Sequence, residues 1–522
     1  MDTLSVMRIS ASGAALPSAL AQILDGASVE HADRCAVQAD AQSLTYRELG
    51  ERASRLAAQL RSRGVSPGTV VGVRVPRSIA AIVAIHAVIA TGAVVAPMDV
   101  ADTPARTRSL IAQARISHIL LPDRARGDGL VDEQPMPMPM PIGDGLALVQ
   151  TGMSPMVEAS GYLLFTSGST GTPKGVLLSP DAVAHFARWA AGSLDLAVGD
   201  RVAAQAALTF DLSTFDIFAT AVAGATIVVL PEWLKAFSRD TADWLAAQEV
   251  TVLYAVPTLL KGIVGAVADD QRPLPSLRAV AFAGEPYPAT ALQQLLMTLP
   301  DIAVRNWYGP TETNVCTAAD VRGWAPGSPV PIGESIASVH TCIVDDDLKL
   351  ADIGELVVAG PTLLTGYVVA GEVIDPTVEV LFHDGRVRRA YRTGDRAYRD
   401  DNGELILLGR ADRQIKRRGY RIDLAGIESI AAESAAATGA AAVATGPDNR
   451  ITLFVDVEAA ADSLQAAIDA VEHALRQHLP NSSQPDLIVA YSPLPTNSRG
   501  KIDRADLEDL AGQSLTDQEI HL

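Results

Sequence analysis

The chain of 522 residues carries 42 Lys and Arg against 61 Asp and Glu, a formal charge of −19. Neutralising nucleic-acid phosphates takes a basic patch and usually a basic domain, so this balance argues against a nucleic-acid partner. Apolar residues at 48% and charged ones at 20% belong to an ordinary globular protein, and at roughly 150 residues per domain the length allows about three structural units. The three cysteines, Cys35, Cys316 and Cys342, are too few and too far apart for a disulfide framework or a zinc site, which points to a reduced cytoplasm. Met1-Asp2-Thr3-Leu4 opens with an acid and no apolar run precedes Arg8, so no secretory signal is expected.

In chain order, Leu44-Thr45-Tyr46-Arg47-Glu48-Leu49 with Arg52, Leu56, Leu60 and Arg61 has helical spacing, closed by Gly64 and Pro67-Gly68, and a strand is expected over 70–75. The stretch 78–98 is long enough to cross a bilayer, yet His86, Thr91-Gly92 and Pro97 interrupt it. A buried helix followed by a core strand, and no membrane partner, is the expectation. The run Gln134-Pro135-Met136-Pro137-Met138-Pro139-Met140-Pro141 cannot hold a helix or a central strand and reads as a surface loop. Short apolar runs at 202–206, 225–230, 252–256 and 277–283 alternate with helical stretches such as 291–299, which favours an α/β architecture with parallel sheets. Past Thr393 turn signals crowd together, and a small C-terminal domain on a hinge near Asp412 fits the change of texture.

The most informative stretch is Tyr162-Leu163-Leu164-Phe165-Thr166-Ser167-Gly168-Ser169-Thr170-Gly171-Thr172-Pro173-Lys174-Gly175. A strand enters a loop of glycines and hydroxyl residues that ends in a lysine, a combination suited to a polyphosphate. It is not a Walker A loop, because Pro173 precedes the lysine and Gly175 follows it. This loop resembles the phosphate loop of the adenylate-forming superfamily, which includes acyl-CoA synthetases, luciferases and the adenylation domains of nonribosomal peptide synthetases. Further runs follow in that family's order: Phe210-Asp211-Leu212-Ser213, Asn306-Trp307-Tyr308-Gly309-Pro310-Thr311-Glu312-Thr313, Gly354-Glu355-Leu356, Tyr391-Arg392-Thr393-Gly394-Asp395, Gly409-Arg410-Ala411-Asp412-Arg413-Gln414-Ile415-Lys416 and Asn497-Ser498-Arg499-Gly500-Lys501-Ile502-Asp503-Arg504. The resemblance implies a large N-terminal domain, residues 1–411, of parallel-rich sheets layered with helices, and a small mobile α+β lid, residues 412–522, that carries the catalytic lysine.

It also implies the chemistry: a carboxylate attacks the α-phosphorus of ATP to give an acyl-adenylate and pyrophosphate. Two anions must meet, so catalysis is mainly charge neutralisation and alignment. By resemblance, Lys174, the hydroxyls of Thr166, Ser167, Ser169 and Thr170 and the Gly168 backbone hold the pyrophosphate, Glu312 ligates Mg²⁺ and Thr311 touches the α-phosphate. Tyr308 gives adenine a ring face, Gly284-Glu285-Pro286 a backbone edge and Asn306 a side-chain amide, with Trp307 and Gly309 in the same run. Asp395 and Arg410 suit the ribose. Lys501 stabilises the charge that develops in the first step, and Asp412 is the hinge about which the lid then turns to admit a thiol.

Asp211 separates the subclasses. In amino-acid-activating members this position pairs with the substrate ammonium, while a fatty-acyl or aryl ligase has no use for a buried carboxylate; the plain alternative is an Asp that caps the helix after it. The positions that by resemblance line the rest of the pocket, Leu212, Phe215, Tyr254, Ala281, Ala283, Trp307, Val315 and Cys316, are uncharged and several are bulky, so a small neutral α-amino acid such as alanine is expected. The set also resembles the linings of stand-alone prolyl-adenylating enzymes, apart from Trp307 and Ala281. A phosphopantetheinyl carrier protein is the expected acceptor, with an acyl-CoA synthetase using free CoA as the rival. Only 18 residues follow Arg504, too few for a carrier domain, so a free-standing ligase is expected. Lys416-Arg417-Arg418-Gly419-Tyr420-Arg421 is the one dense basic cluster, either a docking surface for an acidic carrier or an ordinary charged turn.

Overall fold

A computed structural model describes residues 18–124, 140–154, 160–166, 173–270, 273–410, 413–434, 437, 439–457, 464–495 and 502–512. Two large sheets dominate. The first runs, edge to edge, through Glu334–Ser335, Thr317–Asp320, Ala303–Tyr308, Ala279–Phe282, Val252–Ala255, Arg201–Ala204, Thr226–Val229, Cys35–Ala39 and Gln42–Thr45, with the inner strands parallel and the outer ones antiparallel. The second runs through Glu372–Ile374, Gly366–Val369, Lys174–Leu178, Gly161–Thr166, Val94–Pro97, Val70–Val73, Ile116–Pro122, Leu146–Gln150 and Met140–Gly143. Strands such as Val252–Ala255 and Val94–Pro97 are buried along their whole length, which is why they read as apolar runs without alternation.

Helix Ile79–Thr91 lies buried against the helix Tyr46–Ser62 and the inner faces of the sheets. It is followed by the strand Val94–Pro97, as the sequence suggests; Gly92 ends the helix at φ 82°, a left-handed conformation that glycine adopts without steric cost. His86 sits in this helix edge-on to Phe218, and burial pulls its pKa down to about 4, so it is a neutral core residue. Among the described residues no helix is long and apolar enough to cross a membrane. Helix Tyr46–Ser62 begins with a capping box, the Thr45 hydroxyl accepting from the Glu48 N–H while the Glu48 carboxylate accepts from the Thr45 N–H. Residues 134–139 of the Pro-Met run lie outside the described residues; Met140–Gly143 forms the edge strand of its sheet, the position where proline is tolerated.

A third, antiparallel sheet contains His340–Val344, Ile353–Ala359, Val387–Arg399, Val378–Leu381 and Leu405–Arg410. Beyond it come a two-stranded hairpin, Gln414–Arg417 with Tyr420–Asp423, and a three-stranded sheet, Gly439–Thr445, Arg450–Asp456 and Leu487–Ala490, packed on helices Leu424–Glu433, Leu464–His478 and Arg504–Gly512. This C-terminal portion leans on the large part at several points. Arg106 donates to the His478 carbonyl at 2.8 Å, Thr103 to that of Gln477 at 3.2 Å, and Lys261 Nζ lies 3.7 Å from Asp448 Oδ1. The turn Asn481–Ser483 is held from both sides, with Gln484 donating to the Leu475 and Leu479 carbonyls and Arg417 donating to the Gln484 carbonyl.

Candidate active site

A cavity of about 360 Å³ opens between the ends of the two large sheets and the C-terminal hairpin. Thr166, Asp211, Leu212, Tyr254, Ala283, Gly284, Gly309, Thr311, Val315 and Arg410 line it, which brings residues from six separate sequence runs to one space. Lys174 begins the strand that returns from the phosphate loop, and its ammonium lies 5.4 Å from the centre of the Tyr367 ring. Ser167, Gly168, Ser169, Thr170, Asp412 and Lys501, all singled out by sequence, lie outside the described residues.

Asp211 lies on the cavity wall and is only 8% exposed. Burial pushes its pKa up to about 6, against the Thr311 hydroxyl that bonds it and the nearby Lys416 ammonium. The chain turns helical two residues later, at Ser213, with a π-helical turn over Phe215–Ala219 whose own cap position, Thr214, makes no side-chain cap. That turn is anchored by the Asp216 carboxylate, which accepts from the Ala206 N–H at 3.2 Å.

Of the positions expected to form the acyl pocket, Leu212, Tyr254, Ala283 and Val315 join Asp211 on the wall, while Phe215, Ala281, Trp307 and Cys316 stand one layer behind. Tyr254 and Trp307 ring centres are 4.8 Å apart, Phe215 lies 5.2 Å from Tyr254 and 5.6 Å from Trp307, and Trp189 closes on Trp307 at 5.1 Å. This edge-to-face cluster backs the pocket as a rigid floor. Cys316 donates weakly to the Tyr308 carbonyl at 3.4 Å, and burial pushes its thiol up to about 12, so it is chemically inert.

The side expected to take the nucleotide is less open. Tyr308 donates its hydroxyl to Asp395 at 2.5 Å, and Arg410 donates to the same carboxylate at 2.8 Å from the neighbouring strand, where the two residues are register partners. Asn306 is buried off the cavity and gives its amide N–H to the Pro331 carbonyl at 2.6 Å. Glu285 is likewise occupied: it accepts from the Thr258 backbone and hydroxyl, and its other oxygen accepts from the Gly419 N–H at 2.7 Å. Pro286 beside it is exposed.

The basic cluster differs from both expectations, since most of it faces inward. Lys416 Nζ lies 5.1 Å from the centre of the Tyr308 ring, and burial lowers its pKa against the pull of Asp395. Arg417 is 6% exposed and paired with Asp486, Tyr420 stacks on Phe210 at 5.7 Å, and Arg421 reaches both oxygens of Glu312 at 3.2 and 3.1 Å. Arg418 alone of its four cations is exposed. The turn needs Gly419, at φ 82°, because a Cβ there would stand 2.5 Å from Val256 and 3.1 Å from Phe210.

Glu312 is 2% exposed. Burial alone would raise its pKa, but the Arg421 charge and the Tyr367 hydroxyl, 2.7 Å away, outweigh it and keep the carboxylate ionised. Tyr367 in turn is 2.9 Å from the Tyr391 hydroxyl. Sequence reasoning missed Tyr367, Tyr391 and Arg421. Tyr391 and Arg421 lay inside runs already singled out, and their signal was a phenol and a guanidinium next to residues with assigned roles.

Comparison with known proteins decides the family. A profile described as AMP-binding enzyme matches residues 24–368. The chain belongs to this family and is an ATP-dependent adenylate-forming ligase. It is 32% identical to an L-proline--[L-prolyl-carrier protein] ligase of Streptomyces coelicolor, over 94% of this chain and 96% of the relative. It is 31% identical to bacitracin synthase 3 of Bacillus licheniformis, over 91% of this chain but only 7% of that much longer protein. Among solved structures, the Vibrio cholerae adenylation domain AlmE in complex with glycyl-adenosine-5'-phosphate shares the fold, with a TM-score of 0.77, 24% identity, and coverage of 95% of this chain and 97% of that one.

Proposed function

We propose that the protein adenylates a small neutral α-amino acid with ATP and then passes the aminoacyl group to the phosphopantetheine arm of a carrier protein, or to an aminoacyl group that the carrier already bears, in peptide or hybrid natural-product biosynthesis in the cytoplasm. The observation that carries this reading is Asp211, a buried carboxylate on the cavity wall beside the uncharged Leu212, Tyr254, Ala283 and Val315, poised for a substrate ammonium. Residues 1–411 bind ATP and amino acid, and residues 412–522 act as the lid that brings Lys501 to the reacting phosphate, turning at Asp412. The aromatic floor limits the side chain to alanine-like size. Proline is the second reading, favoured by the named substrate of the Streptomyces coelicolor relative. An amino-acid-dependent pyrophosphate exchange assay over all common amino acids, with fatty and aryl acids beside them, tests this. Exchange confined to alanine, glycine, serine or proline is expected, whereas exchange only with non-amino acids, or transfer to free CoA in place of the carrier, would overturn it.

The residues present fit a magnesium ion. Among the described residues no cluster of three His, Cys, Asp or Glu could hold a metal alone, but Mg²⁺ in nucleotide sites is usually held by one or two carboxylates together with phosphates and water. Glu312 is such a carboxylate, buried, ionised and already facing a cation. When bound, the ion neutralises phosphate charge. This chain's residues would do the rest: Lys174 would hold the pyrophosphate, Thr311, bonded to Asp211, would touch the α-phosphate, and Asp395 with Arg410 would take the ribose.

The aromatic floor gives a specificity prediction. Tyr254→Ala removes the ring that separates the cavity from Phe215 and Trp307, and a single methylene in such a pocket is worth about 1–3 kcal/mol. The exchange-rate ratio of leucine to alanine is expected to rise by about 10- to 100-fold, and an unchanged ratio would place the side-chain pocket elsewhere.

A further inference from the structure

Glu312 is 2% exposed, and a carboxylate so deeply placed needs a positive partner. In this structure the partner is Arg421, whose Nη1 lies 3.2 and 3.1 Å from the two carboxylate oxygens. Tyr367 supplies a further donor at 2.7 Å and is itself linked to Tyr391 and overlain by Lys174. Glu312 belongs to the large part of the chain and Arg421 to the hairpin that follows Asp412. The hairpin is held in place by the Gly419 N–H on Glu285 and by Tyr420 on Phe210.

A hydrated magnesium ion needs carboxylate oxygen at about 2.0–2.1 Å and room for its own waters. A guanidinium within 3.2 Å of both oxygens of the same carboxylate fills that room and repels the ion. Resting on the proposed two-step ligase reading, we propose that Arg421 is a positioning residue of the transfer step: it takes the place of the divalent cation at Glu312, so that this lid orientation and a metal-loaded Glu312 exclude each other. A Glu312 without metal is then free to capture Arg421. The capture draws the hairpin, with Lys416 and Tyr420, onto the cavity in which the adenylate remains.

Half-buried Lys261 and exposed Asp448, 3.7 Å apart across the two parts, provide a reporter of this orientation. In full-length protein carrying Cys35→Ser, Lys261→Cys and Asp448→Cys, a short bis-maleimide will cross-link the two positions only while the lid sits as seen here; Cys316 and Cys342 are buried. With α,β-methylene-ATP bound, the cross-linking rate is expected to be high in EDTA and to fall about tenfold when Mg²⁺ is added, within the usual range of coupling between two sites. Arg421→Gln should give the low rate with and without metal, and Arg421→Lys should restore the metal response. Equal rates with and without Mg²⁺ in the parent, or a full metal response in Arg421→Gln, would overturn the inference while leaving the ligase reading intact. Failure of the ATP analogue to bind, measured by calorimetry in the same protein, would overturn the ligase reading and this inference with it.

Discussion

Replacing Asp211 by alanine is expected to lower kcat/KM for the amino acid by about 100- to 4,000-fold, because removing one partner of a buried ion pair typically costs about 3–5 kcal/mol and each 1.4 kcal/mol is a factor of ten. The substrate ammonium would enter beside Leu212, Tyr254, Ala283 and Val315, none of which carries a charge. Asp211→Asn keeps the shape and loses the charge, so it should fall nearly as far as alanine; if asparagine keeps most of the activity, Asp211 acts through its shape and not its charge. The pH dependence supplies an independent check. Burial pushes the Asp211 pKa up to about 6, so in the free enzyme it is charged above that value and neutral below it. A protonated Asp211 cannot pair with an ammonium that stays protonated throughout this range, so kcat/KM should fall about tenfold per unit as pH drops below about 6, since that ratio reports the free enzyme's groups. The acidic limb should vanish in Asp211→Asn. A loss of less than about threefold in Asp211→Ala would instead fit a ligase for plain carboxylic acids, where no ammonium has to be paired.

The elements that could be read from sequence are those whose burial leaves a local mark. The apolar run 252–256 became the strand Val252–Ala255, and 78–98 became a helix and a strand, because a strand buried on both faces or a helix buried all round needs no partner's identity to look apolar. Sheet order was not legible, since Arg201–Ala204 lies between Thr226–Val229 and Val252–Ala255 through crossovers that local pattern does not encode. The site divided in the same way. Residue types within runs placed Asp211, Thr311 and Arg410 around one cavity, but depth was invisible: Phe215 and Trp307 stand behind Tyr254 instead of beside it. The basic cluster shows the limit most clearly. Whether a run of cations faces solvent depends on the anions opposite it, and those of Arg421 and Arg417 are Glu312 and Asp486, 109 and 69 residues away in sequence. The same inward turn answers how a chain of charge −19 attracts anionic substrates, because Lys416, Arg410 and Arg421 are concentrated on the cavity wall.

The Asp395→Ala substitution is expected to raise the KM for ATP by about 100-fold, because two charge-assisted hydrogen bonds of about 1.5 kcal/mol each would be lost with the ribose hydroxyls. The structure makes this a demanding prediction, since Asp395 is 4% exposed and already accepts from Tyr308 at 2.5 Å and Arg410 at 2.8 Å. A carboxylate has about four acceptor sites, so two remain for a sugar once the hairpin carrying Lys416 withdraws. If Asp395 served only to tie Arg410 and Tyr308 together, its removal would lower the melting temperature by stranding a buried guanidinium, yet the folded fraction would bind ATP normally. The two roles therefore separate in one experiment: KM for ATP and KM for the amino acid, both by pyrophosphate exchange well below the variant's melting temperature. A rise confined to ATP, with the amino-acid KM changed less than about fivefold, assigns Asp395 to the ribose, because a general loosening of the site would weaken Asp211 and its floor as well. Asp395→Asn sharpens the comparison. Its amide keeps one oxygen with two acceptor sites in place of four, which Arg410 and Tyr308 already claim, so it should recover part of the thermal stability and little of the ATP affinity.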